Sequence, residues 1–176
     1  MRFTPLELKG AVLVQLEAHR DERGLFARSY CAREFAEAGL PTHWPQMNIS
    51  GNARAGTLRG MHFQRPPHEE PKLVRCSRGA VLDVIIDLRP ASPTFRRHVA
   101  ARLDAETGDA LYIPPGFAHG FQTLMDDSDV FYLMGAEFVA GAGDGVRWDD
   151  PAFGIAWPLP VAAISTRDAA YADFQG

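Results

Sequence analysis

"KLVRCSRGAVLDVIIDLRPASPTFRRHVAARLDAETGDALYIPPGFAHGFQTL", residues 72–124, decides the fold class. Short apolar runs alternate with turn signals: "SRGA", "RPASPT", "ETGD" and "PPG". The turns recur roughly every eight to twelve residues, the spacing of a sandwich or barrel. No run is long enough to register a helical period.

The pattern continues on both sides. "HWPQMNIS" and "TLRGMHF" precede the stretch, "VFYLMG" follows it, and "RPP" and "DDSD" supply further turns. Strands following strands exclude βαβ repeats and favour an all-β double-sheet jelly roll with small helical additions. "AVLVQLEAHRDERG" (11–24) reads as one strand that begins apolar and turns polar toward Gly24. "CAREFAEAGL" (31–40) is the clearest helix, with Phe35, Ala36 and Leu40 on one side and Gly39 near its end. "TRDAAYADF" (166–174) reads as a short terminal helix, and "GAGDG" (141–145) as a flexible loop. An antiparallel sandwich leaves edge strands, which a homodimer would cover.

The 176 residues make a single domain, 1–176, with a real core. A net charge of −4 gives no general attraction to nucleic acid or to an anionic membrane. No apolar run approaches the roughly 18 residues of a membrane span. The first ten residues lack the apolar centre of a signal peptide, so none is expected. Cys31 and Cys76 have no zinc-finger or Cys-x-x-Cys spacing. They read as reduced thiols and point to the cytoplasm.

"GTLRGMHFQRPPHEEPKLVR" (56–75) crowds Arg59, His62, Gln64, His68 and Lys72 into one span. "IPPGFAHGF" (113–121) carries Pro114, Gly116 and His119 at the Pro-x-Gly-x-x-His spacing of the second cupin motif. A rigid Pro-Pro-Gly turn aims the His of the next strand inward. The first cupin motif wants His-x-His with a Glu nearby. Here His62-Phe63-Gln64 offers one imidazole. Two histidines, Gln64 and Glu69 would bind a divalent ion softly and incompletely, so no metal is expected, and a metal-dependent cupin enzyme is the competing reading. The blander reading makes both histidines hydrogen-bonded core residues.

"DERGLF", "PQMNIS", "GTLRGMHFQ", "PKLVRC", "DVIIDLRPASPTF", "IPPGFAHGFQTL", "VFYL", "RWDDP" and "ISTRD" occur in order between residues 21 and 168. In that order they resemble the dTDP-4-dehydrorhamnose 3,5-epimerase family of nucleotide-sugar epimerases. The resemblance implies a cupin-type jelly roll, usually a homodimer, working without metal or redox cofactor. Its substrate would be a nucleotide-linked 4-keto-6-deoxy sugar, inverted at C3 and/or C5.

Such chemistry needs a base, an acid on the opposite face, and a group that stabilises the enolate oxygen. By motif match the base is His62, its partner carboxylate Asp168, the proton donor Tyr132 and the enolate-side cation Lys72. Arg59 and Arg23 match the diphosphate forks, Arg23 reaching over from the partner subunit. Gln46 and Asn48 match nucleotide contacts, His119 and Arg167 further substrate contacts, and Phe138 the aromatic that stacks on the base. Four positions depart from the family pattern. Arg28 and Gly143 stand where Glu is usual, Leu133 where Lys follows the Tyr, and Ala140 where Pro is common. If Arg28 reaches the partner's nucleotide site beside Arg23, it weakens the preference for dTDP over GDP or CDP; the blander reading points it to solvent. The same motifs would also serve an enzyme that inverts one carbon only, or a protein that binds a sugar nucleotide without turnover.

Overall fold

A computed structural model describes residues 1–175. Its elements in chain order are β1 (Arg2–Pro5), β2 (Val12–Gln15), β3 (His19–Asp21), β4 (Gly24–Phe26), α1 (Ala32–Glu37), β5 (Gln46–Asn52), β6 (Leu58–Gln64), β7 (Lys72–Arg78), β8 (Ala80–Asp87), β9 (His98–Asp104), β10 (Ala110–Ile113), β11 (Phe117–Thr123), β12 (Ser128–Met134), β13 (Gly143–Gly145) and α2 (Thr166–Ala169). Among the described residues no helix is long and apolar enough to cross a membrane.

The strands form two antiparallel sheets. One runs β1-β2-β10-β7-β12-β5, the other β13-β6-β11-β8-β9, and β3-β4 is a separate hairpin. Val74, Cys76, Leu111 and Val130 of the first sheet meet Val81, Ile85, Phe117 and Phe121 of the second in the central core. Both outer faces are covered as well. Phe35 of α1, with Tyr30 and Trp44, packs on Leu73, Tyr112 and Leu133. Phe153, Trp157 and Phe174 pack on Met61, Val84 and Ile86. Burial on both faces explains why β8 reads as a nearly unbroken apolar run instead of an alternating one, and why β11 is buried along its whole length although it carries His119, Gln122 and Thr123.

The all-β double-sheet expectation holds, and the strands from β5 to β12 fall where the turn signals put them. Several local readings need correction. Residues 11–24 are two strands, β2 and β3, because the polar half leaves the sheet to form the exposed hairpin with β4. The segment around "GAGDG" contributes β13, which pairs with β6. The terminal helix is one turn, Thr166–Ala169, and α1 is six residues long. β1 was not foreseen, and it pairs with β2.

One close approach positions the site. Gly60 has φ +137, and a Cβ there would lie 2.5 Å from Gly120 Cα. Only glycine at this crossing lets β6 and β11 approach so closely. The pairing sets His62 opposite His119, with a register irregularity just beyond.

Candidate active site

His62, Arg59, Lys72, His119, Tyr132 and Asn48 line one cavity of about 280 Å³, together with Ser50 and Met134. His62 and His119 come from the five-stranded sheet, Lys72 and Tyr132 from the six-stranded one. The cavity is therefore walled on opposite sides by an imidazole pair and by a phenol with an ammonium.

Asp168 fixes the His62 ring. Ser165 caps α2, its Oγ accepting the Asp168 N–H at 3.0 Å. That S-x-x-D turn aims the carboxylate back at β6. Asp168 Oδ2 accepts the Gly60 N–H at 3.2 Å, and Oδ1 lies 2.8 Å from His62 Nε2. Burial pushes the Asp168 carboxyl up, but hydrogen bonds from His62, Gly60 and Ser165 outweigh it and hold the group below the usual range. An ionised Asp168 accepts only, so His62 Nε2–H donates to it and Nδ1 is left with the free lone pair. The His62 side chain is 41% exposed. It is both oriented and reachable.

His119 is paired with a second aspartate but sits deeper. Its Nε2 lies 2.9 Å from Asp83 Oδ2, and both side chains are buried. Its ring stands edge-on to Tyr132, centroids 6.0 Å apart. Burial raises the Tyr132 hydroxyl far above the ordinary phenol value and the Asp83 charge adds to this, while Arg59 and a hydrogen bond to Ser50 pull it down. Tyr132 thus holds its proton at neutral pH. Lys72 is buried, with Nζ 3.3 Å from Glu70 Oε1.

Arg59 stands at the mouth. It lines the cavity and also the adjoining groove formed by Thr57, Ala163, Ser165 and Arg167. Arg167 Nη2–H donates to Gly143 O at 3.3 Å, across the position where the family pattern has Glu. Gln46 Oε1 accepts the Phe138 N–H at 2.6 Å and so anchors the segment carrying that ring, which is 67% exposed.

Two arginines lie elsewhere. Arg23 sits on the exposed hairpin bonded to Asp21 and does not line the His62 cavity of its own chain. Arg28 Nη1 is 2.7 Å from Glu34 Oε1 of α1 in the same chain, and its side chain is exposed. Of the soft metal set, Gln64 donates to Glu70 and accepts from Val139 N. Among the described residues no three His, Cys, Asp or Glu side chains converge as metal ligands.

Sequence reasoning missed Asp83, Glu70, Ser50 and Asn52. Asp83 left one signal, a lone carboxylate in the apolar run "AVLDVIIDL". A buried charge in such a strand requires a partner.

The fold and site together define a double-sheet jelly-roll enzyme with acid–base groups on facing walls. Residues 5–176 match the family model for dTDP-4-dehydrorhamnose 3,5-epimerase. The dTDP-4-dehydrorhamnose 3,5-epimerase of Sinorhizobium fredii is 40% identical over 169 residues, covering 96% of this chain and 87% of that protein. The crystal structure of the Bacillus anthracis enzyme with TDP and PPi bound superposes with TM-score 0.95 at 35% identity, over 98% of this chain and 99% of that one. ChmJ, a 3'-monoepimerase from Streptomyces bikiniensis solved with dTDP-quinovose, superposes with TM-score 0.89 at 33% identity, over 97% and 86%. The chain belongs to the dTDP-4-dehydrorhamnose 3,5-epimerase family, a family of isomerases.

Proposed function

We propose that this protein epimerises a dTDP-linked 4-keto-6-deoxy sugar at C3 and C5 through an enolate. One observation carries the reading: His62 and Tyr132 reach the same cavity from opposite sheets. A sugar ring between them has a base on one face and an acid on the other. His62 Nδ1 takes the proton from the carbon beside the ketone, and Asp168 stabilises the imidazolium that results. Lys72 stabilises the enolate oxygen. Tyr132 returns a proton to the opposite face. Arg59 and Arg167 hold the diphosphate, which suits their planar forks. Asn48, Gln46 and Phe138 meet the nucleoside, and His119 contacts the sugar from the β11 side.

The same reading makes the protein a homodimer. Leu25 and Phe26 of the hairpin and Met47 and Ile49 of the edge strand β5 are exposed. Apolar side chains on an edge strand call for a cover, and a second copy supplies it. Arg23 of one subunit then completes the cavity of the other. Free Cys31 and Cys76 fit a reducing cytoplasm.

The test is incubation with dTDP-4-keto-6-deoxyglucose in deuterated water. Deuterium is expected at C3 and at C5, with and without a chelator. Deuterium at C3 alone would make the chain a monoepimerase, as ChmJ is described. No incorporation at either carbon would overturn the reading.

A further inference from the structure

Arg59 is not free to point where it likes. Its Nε–H donates to Asn52 Oδ1 at 2.8 Å. Asn52 is 5% exposed and ends β5, in register with Ser128 of β12. Its Nδ2 donates to Ser50 O and to Ser128 O, both at 2.9 Å. Its Oδ1 accepts from Arg59 and, at 3.4 Å, from Ser50 Oγ. The amide therefore has one allowed orientation. Flipped, it would set its oxygen against two carbonyls and its NH₂ group against a guanidinium. Ser128 is itself anchored, its Oγ donating to Met125 O at 2.8 Å.

Among the described residues, the Nη groups of Arg59 have no protein partner. The result is a fork gripped at its stem with its tines open to the cavity mouth.

We infer that Asn52 is a positioning residue for diphosphate recognition, holding Arg59 by Nε so that both Nη groups meet the phosphates. The inference rests on the reading of Arg59 as a diphosphate ligand. An unrestrained arginine would have to give up rotamer freedom on binding, and a side chain fixed beforehand does not. The effect should therefore appear in affinity and not in turnover.

The experiment is titration with dTDP, plus steady-state kinetics, on Asn52→Ala, Arg59→Ala and the double variant. Asn52→Ala should weaken dTDP binding about tenfold, the scale of a hydrogen bond to a charged group, and raise KM with little change in kcat. In the Arg59→Ala background the Asn52 substitution should add nothing, because the group it positions is gone. If Asn52→Ala unfolds, Asn52→Thr keeps strand propensity with a hydroxyl one bond too short, and the same loss is expected. A folded Asn52 variant that binds dTDP as wild type does, while Arg59→Ala does not, overturns the inference alone. So does an equal Asn52 effect in both backgrounds, which would mark a purely structural role. If Arg59→Ala itself leaves dTDP affinity unchanged, the diphosphate reading falls and the inference falls with it.

Discussion

His62 and His119 face each other across β6 and β11, each within hydrogen-bond reach of its own buried aspartate, yet the two differ sharply in exposure. The His62 side chain is 41% exposed against 5% for His119. The aspartates differ too. Both Asp168 oxygens are engaged, whereas Asp83 Oδ1 is buried with no partner among the described residues. The outer dyad is satisfied and open to the cavity. The inner aspartate lies near Tyr132 and, after burial, helps keep that phenol protonated.

Asp168→Asn should separate orientation from charge. With its oxygen toward β6 the amide can still accept from His62 Nε2–H, while its NH₂ group meets the Gly60 N–H that the second carboxylate oxygen accepted. The charge that stabilises the imidazolium is lost. Activity should fall roughly 10²–10⁴-fold with the fold retained, as expected for general-base catalysis deprived of its partner. Rate and thermal midpoint measured together check this, and a variant within a few-fold of wild type would remove Asp168 from the mechanism.

His62→Ala and Tyr132→Phe should fail differently. Without His62 no other group in the cavity is oriented to enolise the ketone, and hydrogen exchange should stop at both carbons. Tyr132→Phe keeps the base and should still wash substrate hydrogen into solvent, while giving far less inverted product. The readout is deuterium content against product configuration by NMR. Equal, near-wild-type behaviour of the two variants would overturn both assignments.

The proposed contribution of Arg23 to the site of a second subunit has a complementation test. Arg23→Ala and His62→Ala subunits should each be inactive or nearly so as homodimers. In a mixed dimer, the site with intact His62 receives the intact Arg23 of the other subunit. Co-refolded equal mixtures should recover about a quarter of wild-type activity, from one working site in half of the dimers. If Arg23 serves its own subunit instead, mixing restores nothing.

What the sequence made legible was local. Arg59, His62, Lys72, His119 and Tyr132 stand in short motifs whose order carried the resemblance, and the cavity gathers them. What it hid was pairing across sheets. Asp83 meets His119 only because β8 lies beside β11, and that register cannot be read from "AVLDVIIDL". Asn52 finds Arg59 through the end of β5, not through neighbouring sequence. β13 is glycine and aspartate, without apolar alternation, and becomes a strand by pairing with β6. A Cβ at its Gly145 would lie 2.4 Å from the Tyr171 ring. Arg28 stands close to Arg23 in sequence but pairs with Glu34, six residues further on, which the sequence alone did not suggest.

That ion pair gives the last prediction. Glu34 bonds Arg28 through Oε1 and the Met1 α-ammonium through Oε2, at 2.7 and 3.0 Å. The hydrogen bond from Arg28, followed by that from the N-terminus, lowers its carboxyl from 4.5 to about 2. A carboxyl lowered on folding adds stability that is complete above its unfolded value and disappears as pH falls through its folded one. Glu34 should therefore stabilise the fold fully above pH 4.5 and lose that contribution between 4.5 and about 2. The Met1 ammonium is raised above 8.0, mainly by Glu17 and then Glu34, so its share is present below pH 8 and is lost as pH rises past its folded value. Glu34→Gln should lower the thermal midpoint at pH 6, with the gap to wild type closing toward pH 2. Arg28→Glu should also destabilise at pH 6, since it sets two carboxylates against each other, and should leave dTDP affinity unchanged. A shift in dTDP affinity in Arg28→Glu, with no change in thermal midpoint, would return Arg28 to the nucleotide site.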